Sequence, residues 1–222
     1  MRKSFQSLQL CIYLAFAGLM ACTPSENKES ERLPILGRRE AIEVKNEQGE
    51  QVTDTLYHTI SDFSFTNQDR EEITNASFDD KIYIADFFFT SCQTICPPMK
   101  AQMLRVHDFI AEMPEVEILS HTLDPKHDSV EVLKEFSERL GANPEKWHFV
   151  TGDKNEIYRV GQSSYLVTAR EDASEPGGYL HDARFVLVDK ERRIRGVYDG
   201  TKPDQVDRLM KDIPKLLKEY QP

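Results

Sequence analysis

Residues 81–98 read KIYIADFFFTSCQTICPP and decide the fold class of the chain. Residues 81–89 are nearly continuous in apolar and β-favouring side chains, which is typical of a strand buried on both faces. Cys92 and Cys96 follow directly, and two prolines come after them. Because proline is tolerated only in the first turn of a helix, this stretch predicts a strand, a cysteine loop and then a helix over residues 99–113.

Strands and helices continue to alternate on both sides of this stretch. Ser129 is a predicted N-cap and Gly141 a predicted stop for one of these helices. The predicted elements are β-hairpins within residues 42–65, strands at 116–120 and 147–150, helices at 129–140 and 155–160, a hairpin at 184–189 and 194–198, and a helix at 203–220 that Pro214 should kink or break. This order predicts an α/β thioredoxin-like fold, with a central mixed sheet flanked by helices and an N-terminal β-hairpin extension.

The N-terminus has the pattern of an exported lipoprotein. Residues 8–21 are apolar and uncharged, follow Arg2 and Lys3, and are shorter than the roughly 20 residues that a membrane-spanning helix needs. The stretch ends in LMAC, which resembles the bacterial lipobox and would place a lipid on Cys22. We therefore expect a signal peptide over residues 1–21, a flexible tether over 22–40 and the domain over 41–222. An uncleaved anchor and a plain secretory signal are alternatives.

The cysteines narrow the chemistry of the folded domain. Of the four, Cys11 would leave with the signal peptide and Cys22 would carry lipid, so that Cys92 and Cys96 remain as a pair. Residues four apart share one face of a helix, and a helix N-terminus favours the thiolate. Two soft thiolates suit Cu(I) better than Zn(II). In an oxidising compartment, a structural disulfide and a redox-active dithiol are the alternatives at this point.

A third ligand is predicted at His181. In a thioredoxin plan its loop lies beside the cysteine loop, and two thiolates with one imidazole make a trigonal copper site. Asp182 is a candidate for orienting the imidazole. His121 and Asp124, at the end of the second predicted strand, are further candidates for a supporting role close to the metal. Surface or packing roles are the alternative for each of them. The remaining histidines, His58, His107, His127 and His148, are predicted to be surface or packing residues.

The net charge of −10 argues against one class of partner. An acidic surface repels the phosphate backbone, so we expect no nucleic-acid partner. A cationic partner or a metal ion is compatible with this charge.

Several ordered motifs resemble those of the Sco/SenC family of copper-binding proteins for cytochrome c oxidase assembly. The resemblance runs from about residue 61 to 218. Residues 88–97 (FFTSCQTICP) match the family pattern F-T-x-C-x-x-x-C-P, residues 123–129 (LDPKHDS) match D-P-x-x-D-[TS], and residues 147–152 (WHFVTG) match W-x-hydrophobic-hydrophobic-T-G. His181 precedes a strand, as the family's ligand histidine does, and residues 193–200 fit the closing hairpin.

The chain departs from the family pattern at three positions near these motifs. Gln93 stands where many members have proline, His127 where many have arginine, and Asp182 where many have serine. The three ligand positions are intact. The departures leave partner choice and redox tuning open.

The resemblance implies copper as Cu(I), with Cu(II) also open, held by Cys92, Cys96 and His181. It implies delivery to the copper-accepting subunit of cytochrome c oxidase, or to another periplasmic cuproprotein, from a lipid-anchored position in the cell envelope that faces the periplasm. Inner and outer membrane remain open. The alternative is an extracytoplasmic thiol–disulfide oxidoreductase, in which Cys92 and Cys96 would be catalytic and keep the acceptor's cysteines reduced.

Overall fold

The computed structural model describes residues 32–174 and 178–221. In this part of the chain, the helices are α1 (Cys96–Ile110), α2 (Val130–Leu140), α3 (Lys154–Arg159) and α4 (Pro203–Lys218). The strands are β1 (Arg39–Lys45), β2 (Gln51–Tyr57), β3 (Ser64–Asn67), β4 (Glu72–Thr74), β5 (Ile82–Phe88), β6 (Val116–Thr122), β7 (Trp147–Thr151), β8 (Ala169–Glu171), β9 (Tyr179–His181), β10 (Arg184–Val188) and β11 (Ile194–Asp199).

A mixed seven-stranded sheet forms the centre of the fold, in the order β11-β10-β5-β6-β7-β3-β4. Strands β5, β6 and β7 are parallel, whereas β10 pairs antiparallel with β5, and β3 pairs antiparallel with β7. All seven residues of β5 and all seven of β6 are buried. This confirms the prediction of a strand covered on both faces and of a central mixed sheet flanked by helices.

The sheet carries a hydrophobic cluster on each face. Met99, Met103 and Val106 of α1 belong to the first cluster, together with Leu209 and Ile213 of α4. The second cluster contains Ile157 of α3. Because neighbouring side chains of a strand point to opposite faces, Phe88 belongs to the first cluster and Phe87 to the second. The cysteines belong to the first cluster.

The helix predictions differ from the structure mainly in α1 and α4. Helix α1 begins at Cys96, three residues before the predicted start, because both prolines fit in its first turn. Helix α4 continues through Pro214 without the break that was one of the two predicted outcomes. The limits of α2 agree with the prediction. Ser129 accepts a hydrogen bond from the backbone of Val132, and Gly141 has the left-handed conformation, with φ of 70°.

The predicted N-terminal hairpin is present and forms a separate two-stranded sheet of β1 and β2. Part of the segment predicted as a tether lies on the domain. Arg195 of β11 donates to the backbone carbonyls of Leu33 and Pro34, and the Leu36 amide donates to the Ile194 carbonyl at 2.8 Å. The chain is therefore held against β11 before the hairpin starts. No helix within the described ranges is both long and apolar enough to cross a membrane.

Candidate metal centre

Cys92 and Cys96 lie at the carboxyl end of β5, where the chain turns into α1. Neither is in a disulfide and both are buried, with relative exposures of 9% and 4%. The Cys92 amide donates to the Phe89 carbonyl at 3.2 Å, which tightens the loop, and Cys92 Sγ lies 3.8 Å from the Thr94 hydroxyl. A hydrogen bond with the Cys92 side chain, together with burial, raises the pKa of the Cys96 thiol. The two sulfurs are thus close enough to share a proton, and to bind one soft cation after losing their protons.

A buried carboxylate ties the start of the cysteine loop to the neighbouring loop. Asp128 is fully buried, and its Oδ2 accepts hydrogen bonds from the Thr90 amide at 3.0 Å and from the Thr122 hydroxyl. Its Oδ1 accepts from the Thr90 hydroxyl and lies 2.9 Å from Nδ1 of His127. This contact raises the pKa of the His127 imidazole. The D-P-x-x-D motif therefore fixes the residue two positions before Cys92.

Replacing Asp128 with asparagine should lower the free energy of unfolding by about 1–3 kcal/mol, because an amide cannot accept all four donors and leaves a buried one unpaired. Urea denaturation followed by circular dichroism measures this loss. Asp79→Asn, which changes an exposed carboxylate, serves as the control and should change stability by less than about 0.5 kcal/mol. Equal effects of the two substitutions would contradict the anchoring role.

A short hairpin that the sequence did not reveal carries His181. Strand β8 pairs antiparallel with β9, and Ala169 faces His181 in the register. At the start of β9, the Tyr179 ring lies 5.0 Å from the Phe89 ring, and its hydroxyl hydrogen-bonds to Asp124. Desolvation and this carboxylate raise the pKa of Tyr179. The hairpin is therefore packed against both loops that surround the thiols.

The side chain of His181 lies outside the part that the structure describes, so the predicted ligand set stays a prediction. Within that part, no group of three or more His, Cys, Asp or Glu side chains is arranged to hold a metal ion. Asp182, the candidate for orienting His181, accepts a hydrogen bond from the Thr168 amide at 2.8 Å and pairs with Arg184 at 3.3 Å.

The other two candidates for a supporting role lie in different places. Asp124 caps the loop after β6 and contacts Tyr179, which places it beside the cysteine loop. His121 is fully buried in the second cluster, where its ring stacks on Phe87 at 4.6 Å. The thiols belong to the first cluster, so His121 and the cysteines lie on opposite faces of the sheet.

Sequence reasoning missed a buried ion pair below the first turn of α1. Lys100 Nζ lies 2.9 Å from Asp86 Oδ2, and the ammonium is 4.0 Å from the centre of the Phe88 ring. The other oxygen of Asp86 accepts from the Ser120 hydroxyl, which in turn accepts from Trp147 Nε1 at 2.8 Å. Asp86 is a charged residue within the otherwise apolar sequence of β5, and this was the signal that could have revealed the network.

Comparison with known proteins assigns this arrangement to a family. The model of the SCO1/SenC family matches residues 51–218, which include both cysteines, Asp128 and His181. The chain belongs to the SCO1/SenC family. The resemblance seen in the sequence is thereby confirmed.

Three solved structures of Sco proteins are similar to this chain. A SCO1/SenC family lipoprotein from Bacillus anthracis str. Ames has 28% identity and a TM-score of 0.66, over 72% of this chain and 95% of that one. BsSco, a member of the Sco family of cytochrome c oxidase assembly proteins in which a disulfide switch was identified, has 29% identity and a TM-score of 0.64, over 72% and 93%. Arabidopsis thaliana ScoI with copper bound has 25% identity and a TM-score of 0.60, over 72% and 98%. The likeness confirms the predicted fold class.

Proposed function

We propose that this Sco protein binds one Cu(I) ion through Cys92, Cys96 and His181 and delivers it during assembly of the binuclear copper centre of cytochrome c oxidase. The observation that carries the proposal is the pair of buried thiols, hydrogen-bonded to each other and not joined in a disulfide, at the start of α1. Two such sulfurs match the preference of Cu(I) for soft ligands. Arabidopsis ScoI, which is similar over most of this chain, is a copper-bound protein.

The hairpin of β8 and β9 supports His181 as the third ligand. Positions two apart lie on the same face of a strand, so residues 179 and 181 share a face of β9. Tyr179 contacts Phe89, three residues before Cys92. This contact brings β9 close to the cysteine loop. Two thiolates and one imidazole would leave a three-coordinate ion open to attack by an acceptor's thiolates.

Anaerobic titration of the reduced chain with Cu(I), in competition with a chromophoric chelator, tests this ligand set. The parent should saturate at one equivalent, and the Cys92→Ser/Cys96→Ser variant should bind none. His181→Ala should weaken binding by at least the roughly 10–100-fold that loss of an outer-shell partner costs at other metal sites. Leu180→Ala is the matched control, since it alters the same strand without removing a donor atom. If His181→Ala binds as tightly as Leu180→Ala, the imidazole is not a ligand.

The lipobox-like sequence at the N-terminus supports a location in the cell envelope. Lipid on Cys22 would anchor the domain in the cell envelope, facing the periplasm, where a copper-accepting subunit or another periplasmic cuproprotein is exposed. The lipoprotein of Bacillus anthracis in the same family supports this localisation. Mass spectrometry of the N-terminus of the mature chain tests it, since a Cys22→Ala variant should lose the acyl mass.

A thiol–disulfide oxidoreductase is the second candidate, because the contacting sulfurs of Cys92 and Cys96 could close to a disulfide and reopen. BsSco has such a switch. The raised pKa of Cys96 makes this thiol a weak nucleophile until it loses its proton. The His181→Ala variant distinguishes the two functions. It should lose tight Cu(I) binding and keep any disulfide-reductase activity. A parent chain that reduces disulfides and binds no Cu(I) would favour the enzyme.

A further inference from the structure

His127 stands on the rim of the cysteine loop. Strands β5 and β6 are parallel neighbours, and Phe88 faces Thr122 in their register, so the loops that follow them emerge side by side. Nδ1 of His127 lies 3.4 Å from the Thr90 hydroxyl, and Thr90 is two residues before Cys92. Two residues of extended chain span at most about 7 Å. The imidazole therefore contacts the cysteine loop two residues before Cys92.

The orientation of His127 is set by Asp128. The carboxylate is fully buried and lies 2.9 Å from Nδ1, whereas the imidazole side chain is 57% exposed. A carboxylate at one ring nitrogen fixes the tautomer with the proton on that nitrogen, and it increases the basicity of the other nitrogen. Nε2 is thereby left with its lone pair towards the solvent side, as in histidines that bind metal ions. Asp128 also holds Thr90, so the same group orients the imidazole and the loop of the thiols.

We propose that His127 is a transient copper ligand, which captures the ion at the rim and passes it to the two thiolates. This rests on the proposed copper function and concerns the path of the ion rather than its final site. In each passage the bond between Nε2 and the metal breaks while bonds from the two sulfurs form. The oxidation state of Cu(I) is unchanged, and the thiol protons leave to water. The step needs neither an oxidant nor a reductant.

Stopped-flow loading of the reduced full-length chain with Cu(I), supplied as its acetonitrile complex, tests the proposal. The ultraviolet charge-transfer band of the thiolates reports arrival at the final site. His127→Gln and His127→Arg should both load about tenfold more slowly than the parent, and both should still saturate at one equivalent. His127→Arg is the decisive variant, because arginine keeps hydrogen-bond donors beside Asp128 but has no lone pair for a metal.

The loading rates of the two variants distinguish copper binding by His127 from a role that depends only on its contact with Asp128. Slow loading by His127→Gln with parental loading by His127→Arg would show that the ion pair with Asp128 matters and not metal binding, which overturns the proposal. Parental rates in both variants would also overturn it. A second measurement uses the Cys92→Ser/Cys96→Ser/His181→Ala chain, to which Cu(II) should bind weakly with nitrogen hyperfine structure in its electron paramagnetic resonance spectrum. Adding His127→Arg should remove this signal, and its persistence would contradict the assignment.

Failure here is distinguishable from failure of the proposed function. If the parent itself does not bind one equivalent of Cu(I), the copper function is wrong. If it binds one equivalent at a rate that His127 does not influence, the function stands and the rim ligand is wrong.

Discussion

Replacing Lys100 with methionine should lower the free energy of unfolding by about 3–5 kcal/mol. Methionine fills much of the same space, so the loss comes from charge rather than volume. The partner carboxylate of Asp86 is fully buried, and the ammonium side chain is 6% exposed. Without Lys100, Asp86 would remain in the first cluster with the Ser120 hydroxyl as its partner. An uncompensated charge in a dry interior has a large desolvation penalty.

The matched control is the double variant Asp86→Asn/Lys100→Met. Asparagine keeps an oxygen that can accept from Ser120, and no charge remains to be desolvated. Because a buried ion pair gains little over apolar groups of similar size, the double variant should recover most of the loss. Urea denaturation of the parent, the two single variants Lys100→Met and Asp86→Asn, and the double variant completes a double-mutant cycle, which isolates the coupling between the two residues.

A solvent-exposed ion pair provides the comparison for the loss of stability expected from Lys100→Met. Lys134 lies 2.6 Å from Asp69, but their side chains are 41% and 27% exposed. Lys134→Met should therefore destabilise the chain much less than Lys100→Met, since water screens the interaction. A loss for Lys100→Met no larger than that for Lys134→Met would refute the view that the ion pair below α1 is desolvated.

The sequence predicted those elements whose signal is local. The apolar run of β5 and the capping residues of α2 fix their elements without help from distant residues. The hairpin of β8 and β9 was missed because each strand has three residues, and Ala-Arg-Glu has no apolar alternation. Its position depends on contacts such as that of Tyr179 with Phe89, far away in the sequence.

In the candidate site, too, the residues with a local sequence signal were predicted, and those that depend on distant contacts were not. The spacing of Cys92 and Cys96 and the following prolines identified the thiol pair, and their contact in the structure agrees with it. The role of Asp128 could not be predicted, because it depends on hydrogen bonds from Thr90 and Thr122. These two threonines lie at the ends of two different strands, and only the folded sheet brings them together. His127 had a surface interpretation in the sequence, and its orientation by Asp128 emerged only from the folded chain.

Below pH 6.5 the domain should lose stability because of one histidine, His121. The imidazole is fully buried among aromatic rings, with Tyr165 and Phe65 edge-on and Phe87 stacked on it. Neither ring nitrogen has a partner with hydrogen-bond geometry among residues 32–174 and 178–221. Desolvation lowers the pKa of His121 to about 4. The folded chain therefore resists protonation at this position.

The direction of the effect follows from linkage. In the unfolded chain the imidazole titrates near its ordinary pKa of about 6.5, so the unfolded state binds the proton first as the pH falls. The contribution of His121 is complete above this pH, and it is lost progressively as the pH falls to the folded pKa of about 4. The total loss from this one group is about 3 kcal/mol. His127, whose pKa is raised by Asp128, acts with the opposite sign.

Denaturation of the parent and of His121→Phe between pH 8 and pH 4 measures this contribution. Phenylalanine keeps a flat ring beside Phe87 and cannot be protonated, so the variant should lose about 3 kcal/mol less than the parent over this range. The comparison uses the slope of stability against pH, so any packing cost of the larger ring cancels. His127→Gln is the control and should keep the full loss of stability in acid that is due to His121.

Parallel pH profiles for the parent and His121→Phe would mean that the buried imidazole finds a proton acceptor in the folded chain. In that case any acid lability of the domain would have to come from groups other than His121.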